Sequence, residues 1–170
     1  SNVAYQQVAS SLTPGTTYYF CAIGQNSVGT SLGTVQTFST PNTPTVTLAA
    51  ETNLTSTTVT LNGTAHPNGS ATSAYFRISA SNPGVCTDTF GTRWPSSGGT
   101  SISAGAGVTN FAQNVTSGLL PGTTYYVCAI ATNGVGTAFG SLGTITTPAT
   151  TRGTASLRIG SVPSARSAFS

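Results

Sequence analysis

Few side chains in this sequence could carry out chemistry on a substrate. Acid–base catalysis needs at least two titratable groups held near one another, and the chain offers only Glu51, Asp88 and His66. Glu51 falls in a predicted loop, Asp88 in a short segment after a cysteine, and His66 before a proline in a predicted turn. We therefore expect the three to be solvated separately at the surface, and we predict that the protein is not an enzyme.

The sequence also lacks the residue spacings that hold metals and phosphates. Its histidine, cysteines and acidic residues follow no zinc or calcium pattern. The glycines at Gly98-Gly99, and at Gly105 and Gly107, do not stand between a strand and a helix, as a phosphate-binding loop requires. We predict no cofactor and no metal site.

Trp94, next to Arg93 and Pro95, is the residue with the most binding character. An exposed indole can stack on a sugar ring or anchor a protein partner. Trp94 and Arg93 are therefore candidate contacts to a glycan or a partner. The competing interpretation is that Trp94 is a loop residue folded over its own sheet, and the sequence leaves both open.

The composition is that of a nearly uncharged protein. Only 4% of the 170 residues are charged, against about 25% in typical globular proteins, and Thr, Ser, Gly and Ala dominate. Arg152, Arg158 and Arg166 are too widely spread to form a nucleic-acid-binding patch. No apolar run reaches the ~18 residues of a membrane-spanning helix. We predict no nucleic-acid partner and no membrane insertion.

Alternating apolar residues and turn signals predict short strands and no helix. The spacing of these strands, without a βαβ rhythm, indicates an all-β antiparallel sandwich. Seven strands are predicted after Pro41, at residues 44–50, 57–65, 73–80, 85–90, 108–116, 123–132 and 139–146. The Gly- and Ser-rich segment 96–107 is predicted to be a loop.

The chain contains one unit and part of another copy of it. Aligned without a gap at an offset of 107, residues 1–41 and 108–148 share 21 identical positions. Within them, LTPGTTYYFCAI at 12–23 matches LLPGTTYYVCAI at 119–130, a turn followed by a strand-forming run. Residues 42–148 are therefore predicted to form a complete unit, and residues 1–41 only the closing part of one.

The complete unit resembles a fibronectin type III domain. The sixth-strand signature of that family is matched by Leu119, Pro121, Thr123, Tyr125, Ala131 and Asn133. Segment 61–69, which reads LNGTAHPNG, looks like the early strands of the bacterial branch, found as tandem repeats in large secreted proteins. The tryptophan that many such domains keep in the second strand is absent, and Val59 and Leu61 stand there. The resemblance implies an immunoglobulin-like sandwich at a bacterial cell surface.

The resemblance also assigns a structural role to one tyrosine in each copy. Tyr125, and Tyr18 as its copy, would be the corner tyrosine, with its hydroxyl bonded to the backbone and its ring in the core. Tyr126, Cys128 and Ile130 would then face the other side of the sheet. The spacing from the cysteine in immunoglobulin domains would select Tyr126 instead, but the Leu-Pro-Thr register favours Tyr125.

A disulfide is implied by the same template. The third strand of such sandwiches neighbours the sixth, so Cys86 after the third strand can reach Cys128 within the sixth. Cys21 is the copy of Cys128, and its partner would lie outside residues 1–41. The competing interpretation is three buried, reduced cysteines. Paired cysteines indicate an oxidising, extracellular compartment.

Residues 1–41 are not expected to be stable alone, because the inward face of their three strands has nothing to pack against. The tail, residues 149–170, offers a candidate donor strand in which Leu157 and Ile159 alternate with small or polar residues, with Val162 as a further donor residue. Pairing of this tail with the open edge of residues 1–41 in the next copy would produce a head-to-tail homopolymer. The competing interpretation is that both ends are cut points in a longer repeat protein.

We therefore expect a non-enzymatic extracellular structural protein, a subunit of a surface filament, sheath or stalk that assembles by β-strand complementation. The alternative is an accessory, carbohydrate-binding or adhesin module of a larger secreted protein, with Trp94 as its contact. A monodisperse monomer of 17.0 kDa would exclude the polymer.

Overall fold

A computed structural model describes residues 4–150 of the chain. All regular structure in this range is β, as expected for runs of Thr, Val, Ile and Tyr that prefer a pleated, half-buried surface. The thirteen strands are β1 (Thr17–Phe20), β2 (Ile23–Gln25), β3 (Thr30–Leu32), β4 (Gln36–Ser39), β5 (Thr45–Thr52), β6 (Val59–His66), β7 (Thr72–Ser79), β8 (Thr92–Trp94), β9 (Thr100–Ile102), β10 (Thr109–Val115), β11 (Thr124–Thr132), β12 (Thr137–Phe139) and β13 (Gly143–Thr146).

Strands β5 to β13 form a sandwich of two sheets. The first sheet has the order β10-β6-β5. The second is centred on β11, which pairs with β7 on one side and with β12 and β13 on the other, while β7 also pairs with β8 and β9. Every pairing is antiparallel. The predicted fold class, an antiparallel immunoglobulin-like β-sandwich preceded by a partial unit, is confirmed.

The core lies between the two sheets and follows the two-residue period of each strand. In β6, Val59, Leu61, Gly63 and Ala65 are buried, and the residues that alternate with them are only partly buried. Across the sandwich, Phe76 of β7 stacks on Phe111 of β10 with ring centroids 4.8 Å apart. Alternate residues of facing strands therefore build one contiguous core.

Gly63 in β6 makes room for this aromatic stack. A Cβ at position 63 would lie 2.8 Å from Cζ of Phe111 and 2.9 Å from the carbonyl oxygen of Thr47. Because interiors are close-packed, any side chain there would displace the Phe111 ring that stacks on Phe76. Glycine at this position is therefore a packing requirement.

The region between β7 and β10 differs from the sequence prediction. Residues 85–90, predicted as a strand, form an irregular loop, and segment 96–107, predicted as a loop, contains β9. The chain joins the sheet at β8 instead, after Gly91 with a φ of +53°. The physical reason is that Cys86 and Asp88 are bonded to side chains on the sheet's outer face, which keeps their loop off its edge.

The last predicted strand, 139–146, is interrupted. Its two ends pair with different parts of β11: β12 lies beside the end of β11, and β13 beside its beginning. Between them, Gly140 N donates to Ala129 O at 2.9 Å. Leu48 from β5 lies so close to Gly143 that a side chain there would collide with it.

Residues 4–41 form two small antiparallel ladders in place of the three predicted strands. β1 pairs with β4, and β2 pairs with β3. The ring of Phe38 lies near those of Tyr18 and Phe20, at centroid distances of 5.7 and 6.0 Å. None of residues 4–41 is buried. These strands therefore have the pairing of a sandwich without its core.

The junction between the two copies has no free linker. The carbonyl of Pro41 accepts a 3.0 Å hydrogen bond from Gly15 N within the first copy. The next residue, Asn42, donates from its backbone N to Asn68 O of the second copy at 2.9 Å. Asn133 Nδ2 also donates to Asn42 O, at 2.9 Å. Two consecutive residues are therefore anchored to different copies.

The predicted donor residues Leu157, Ile159 and Val162 lie outside the described residues, as does nearly all of the predicted tail, 149–170. The boundaries of the predicted units, 1–41 and 42–148, stay a prediction. Within the described range, no helix is long and apolar enough to cross a membrane.

Candidate functional site

Both copies carry the same tyrosine corner. The hydroxyl of Tyr125 accepts a hydrogen bond from Leu120 N at 2.8 Å, and its ring is buried. The hydroxyl of Tyr18 accepts one from Thr13 N, also at 2.8 Å. Tyr126, the other residue considered for this role, is half-buried. The Leu-Pro-Thr register therefore identified the tyrosine that makes the corner bond.

A threonine closes each corner in the same way. Thr147 Oγ1 donates to Leu120 O at 2.6 Å, and Thr40 Oγ1 donates to Thr13 O at 2.6 Å. Each of these hydroxyls also accepts a 3.0 Å hydrogen bond from a backbone N: Thr123 N, just before β11, donates to Thr147, and Thr16 N, just before β1, donates to Thr40. The first copy thus has the local hydrogen bonding of a finished unit.

The two copies differ in what covers their inward face. In the second copy, Val127 is 1% exposed and Ile145 is 6% exposed, within the core that they share with β6 and β10. At the equivalent positions of the first copy, Phe20 is 52% exposed and Phe38 is 40% exposed. The first copy presents the inner face of a sandwich with no opposing sheet within residues 4–150.

The outer face of the second copy is covered by a disulfide-bonded loop. Cys86 and Cys128 are joined, as the resemblance implies, at a sequence separation of 42. Cys128, Ile130 and Tyr75 are buried together, and Phe90 from the loop packs against them. The face of β11 that points away from the main core therefore has a small core of its own.

The first copy has the same cysteine without this cover. The thiol of Cys21 is free and exposed. Ile23, the copy of Ile130, is 60% exposed, whereas Ile130 is 0% exposed. Both faces of the first copy's strands are therefore open, and we regard this segment, residues 17–39, as the candidate functional site. We call it the acceptor.

A second tether, formed by Asp88, holds the disulfide loop of the complete copy. Asp88 accepts hydrogen bonds from Tyr75 Oη and Arg77 Nε, each at 2.8 Å. Arg77 also donates to Phe90 O at 3.1 Å. The loop is thus fixed by a covalent bond and by a charge-assisted bridge two residues further along.

These contacts shift the pKa values of the Asp88 carboxyl and the Tyr75 hydroxyl. The largest single effect on the pKa of Asp88 is partial burial, which raises it. The hydrogen bonds from Arg77 and Tyr75, with the charges of Arg77 and Arg93, together outweigh burial and hold the pKa of Asp88 below its usual value. Burial, and then the hydrogen bond to Asp88, raise the pKa of Tyr75.

Trp94 and Arg93, the candidate ligand contacts, lie on β8 rather than in a loop. Trp94 stands opposite Phe76 in the ladder and packs, half-buried, against the main core. The guanidinium carbon of Arg93 lies 3.8 Å from the ring centroid of Tyr75, and Nη1 donates to Pro95 O at 2.8 Å. Trp94 therefore packs over its own sheet, which is the second of the two interpretations.

The titratable groups considered for chemistry are not brought together. Glu51 lies exposed in β5 rather than in a loop, and His66 ends β6, where its Nδ1 accepts a bond from Asn68 N at 3.1 Å. Glu51 and His66 stand at opposite ends of the β5–β6 ladder, and Asp88 lies in the loop that is bonded to β7 of the other sheet. Residues 4–150 contain no group of three His, Cys, Asp or Glu that could hold a metal ion.

Sequence reasoning missed two features of this region. β8 had a local signal, because Thr-Arg-Trp stands between Gly91 and Pro95 as a short β-forming run bounded by turn residues. The bridge made by Asp88 had none. It joins residues 13 and 11 positions apart and depends on the path of the loop between them.

Among solved structures, the solution structure of the sensor domain of the anti-sigma factor RsgI4 in Pseudobacteroides cellulosolvens matches with a TM-score of 0.43 and 19% identity, over 73% of this chain and 90% of that chain. A longer form of the same domain matches with a TM-score of 0.40 and 18% identity, over 73% and 96%. The crystal structure of the chicken CNTN1 FN1–FN3 domains matches with a TM-score of 0.37 and 16% identity, over 81% and 44%. Likeness of this degree carries no inference about function.

No protein-family model matches the chain, and no curated protein matches its sequence.

Proposed function

We propose that this protein is an extracellular structural module, a subunit of a surface filament, sheath or stalk, which assembles by β-strand complementation at the acceptor. In this proposal it turns over no substrate. Its role is mechanical: interlocked strands and backbone ladders connect one copy to the next.

The observation that carries the proposal is the contrast between two copies of one sequence. The corner and closing bonds of Tyr18 and Thr40 match those of Tyr125 and Thr147 in length. None of residues 4–41 is buried, however, whereas the equivalent strands of the second copy lie in the core. A segment that is already shaped for a sandwich needs only an opposing sheet.

The free energy available at the acceptor is substantial. Tyr18, Phe20 and Phe38 form an aromatic cluster on one side of β1 and β4. Burying a large apolar side chain is worth about 1.5–3 kcal/mol. The edge of β1 opposite β4 adds main-chain bonds, because the equivalent edge of β11 pairs with β7. A low content of charged residues leaves little electrostatic repulsion to oppose this pairing.

We propose the tail of the next copy as the donor. In its residues 155–163, Leu157 and Ile159 alternate with small or polar side chains, and the apolar Val162 follows before Pro163. Donor and acceptor then lie at opposite ends of the same chain. A contact of this heterologous kind that does not close on itself grows into a filament.

The extracellular setting is part of the proposal. It is supported by the disulfide between Cys86 and Cys128, since such bonds persist mainly in oxidising compartments. The paired cysteines of the second copy imply that Cys21 in the first also meets an oxidising solution.

The test is the mass distribution of the full chain, measured by light scattering or sedimentation over a range of concentrations. We expect species heavier than the 17.0 kDa monomer that grow with concentration. Phe38→Asp places a charge in the aromatic cluster and should restore the monomer. Thr37→Asp is the matched control, because the equivalent Thr144 stays exposed in the complete unit; it should assemble normally. Truncation after Thr150 should abolish growth.

The opposite outcome also has a clear meaning. A monodisperse 17.0 kDa protein at every concentration would rule out the polymer. If that monomer bound glycans, and Trp94→Ala removed the binding, the alternative of an accessory carbohydrate-binding module would replace the proposal.

A further inference from the structure

The acceptor has a second open surface, on the side of β1 and β2 away from the aromatic cluster. It consists of one free thiol surrounded by exposed apolar side chains. The residues are Tyr19, Cys21, Ile23 and Val35. We call this surface the outer acceptor face. It is distinct from the inward face on which the proposed assembly depends.

The complete copy shows what occupies the equivalent surface there. Cys128 is bonded to Cys86, and Ile130 is buried beneath Phe90 and Leu142. The residues 107 positions earlier than Cys128, Ile130 and Leu142 are Cys21, Ile23 and Val35. The cysteine and its apolar neighbours therefore recur as a set, and only the covering loop is missing in the first copy.

This chain's own loop is already used. Cys86 is committed to Cys128, and Asp88 two residues on is held by Tyr75 and Arg77. Within residues 4–150, the cysteine-bearing loop that could cover the outer acceptor face is therefore already bonded elsewhere.

We infer that the outer acceptor face binds a cysteine-bearing loop of another sandwich unit and forms a disulfide between that cysteine and Cys21. The partner is defined by its chemistry. It is a loop with a reactive cysteine and an aromatic residue four positions later, as Cys86 and Phe90 are placed here. The inference rests on the proposed function only in taking residues 17–39 as an acceptor.

The bond forms by thiol–disulfide exchange. The thiolate of Cys21 attacks the partner's cysteine sulfur, which is held in a mixed disulfide with a small thiol. One S–S bond forms between the two proteins, and the S–S bond to the small thiol breaks. The small thiol leaves as its thiolate and takes a proton from solvent, so the small-molecule disulfide has supplied the oxidation.

The experiment uses a peptide of residues 81–91 whose Cys86 is activated as a mixed disulfide with thionitrobenzoate. Released thionitrobenzoate reports the rate of reaction with the full chain. The matched peptide carries Ser in place of Phe90. The protein carries Phe38→Asp, so that assembly does not mask the outer acceptor face.

We expect the native peptide to react about tenfold faster than the Ser peptide, since burial of an aromatic side chain is worth more than 1.4 kcal/mol. Ile23→Ser should remove this preference, Glu51→Gln at an exposed position on β5 should keep it, and Cys21→Ser should abolish labelling. Equal rates for the two peptides, or labelling at Cys128 instead of Cys21, would overturn the inference.

The two proposals can fail separately. Assembly without peptide preference would leave the filament and remove the covalent partner at Cys21. Peptide preference in a protein that never assembles would remove the filament and keep the outer acceptor face as a binding site.

Discussion

Asp88 ties the disulfide-bonded loop of the complete unit to the outer face of its sheet. Its carboxylate bonds a tyrosine hydroxyl and a guanidinium on β7, both at 2.8 Å. We expect Asp88→Asn to lower the free energy of unfolding by about 1–2 kcal/mol, because charge-assisted bonds become neutral ones. Urea denaturation is the measurement. Glu51→Gln, at an exposed position on β5, should change it by less than about 0.5 kcal/mol.

The same carboxylate makes stability depend on pH in a defined direction. Because the pKa of Asp88 is lowered in the folded state, its contribution is complete above the unfolded pKa of about 3.9 and is lost as the pH falls through the folded value. The raised pKa of Tyr75 acts at the alkaline end, where stability falls as the pH rises past about 10. Urea midpoints measured from pH 2 to 7 should fall at low pH in the native chain and less in Asp88→Asn.

The same Tyr→Phe substitution can be made at the buried corner of the second copy and at the exposed corner of the first. Tyr125→Phe removes the bond to Leu120 N in a buried corner, and we expect a loss of about 1 kcal/mol. Tyr18→Phe removes the equivalent bond to Thr13 N where water can replace it, and the unfolding of the monomer should be unchanged within about 0.5 kcal/mol. Equal losses from the two variants would contradict the view that the first copy lacks a core.

At the scale of elements, the loop between β7 and β8 is held by the Cys86–Cys128 disulfide and by the hydrogen bonds of Asp88. Closing a loop with a sequence separation of 42 stabilises the fold by about 4 kcal/mol on the chain-entropy model. We expect the double variant Cys86→Ala, Cys128→Ala to lose about this amount in thermal or urea unfolding. Cys21→Ser, which touches no disulfide, should leave the transition in place.

The strand ladders of the two copies should differ in dynamics. In the Phe38→Asp monomer, backbone amides of β1 and β4 should exchange with solvent at least about a hundredfold faster than those of β11 and β13, because a ladder with no buried face opens locally. Hydrogen exchange followed by mass spectrometry measures this. In the assembled native chain, β1 and β4 should become protected; rapid exchange there would contradict assembly through the acceptor.

At the scale of the whole molecule, the regular parts of the fold could be predicted from the sequence. Alternating apolar residues predicted a strand at residues 73–80, and β7 spans Thr72–Ser79. The duplication located the tyrosine corner of the first copy at Tyr18. Both signals are local or repeated, so they are readable in a single sequence.

The rest depended on contacts between distant positions. The irregular loop at residues 85–90 follows from the bonds of Cys86 and Asp88 to the sheet, which outweigh local strand preference. Gly143 at the start of β13 lies against Leu48, almost a hundred positions away along the chain. Neither contact leaves a trace in periodicity. The open face of residues 1–41 was predicted from the duplication, and the structure adds the exposure of its side chains.

The direct connection between Pro41 and Asn42 has a consequence for twisting. The carbonyl of Pro41 belongs to the hydrogen bonding of one copy, and the backbone N of Asn42 to that of the next. No residue free of both sets of hydrogen bonds lies between them. A twisting force applied to one copy therefore acts on the hydrogen bonds of the next copy across a single peptide unit.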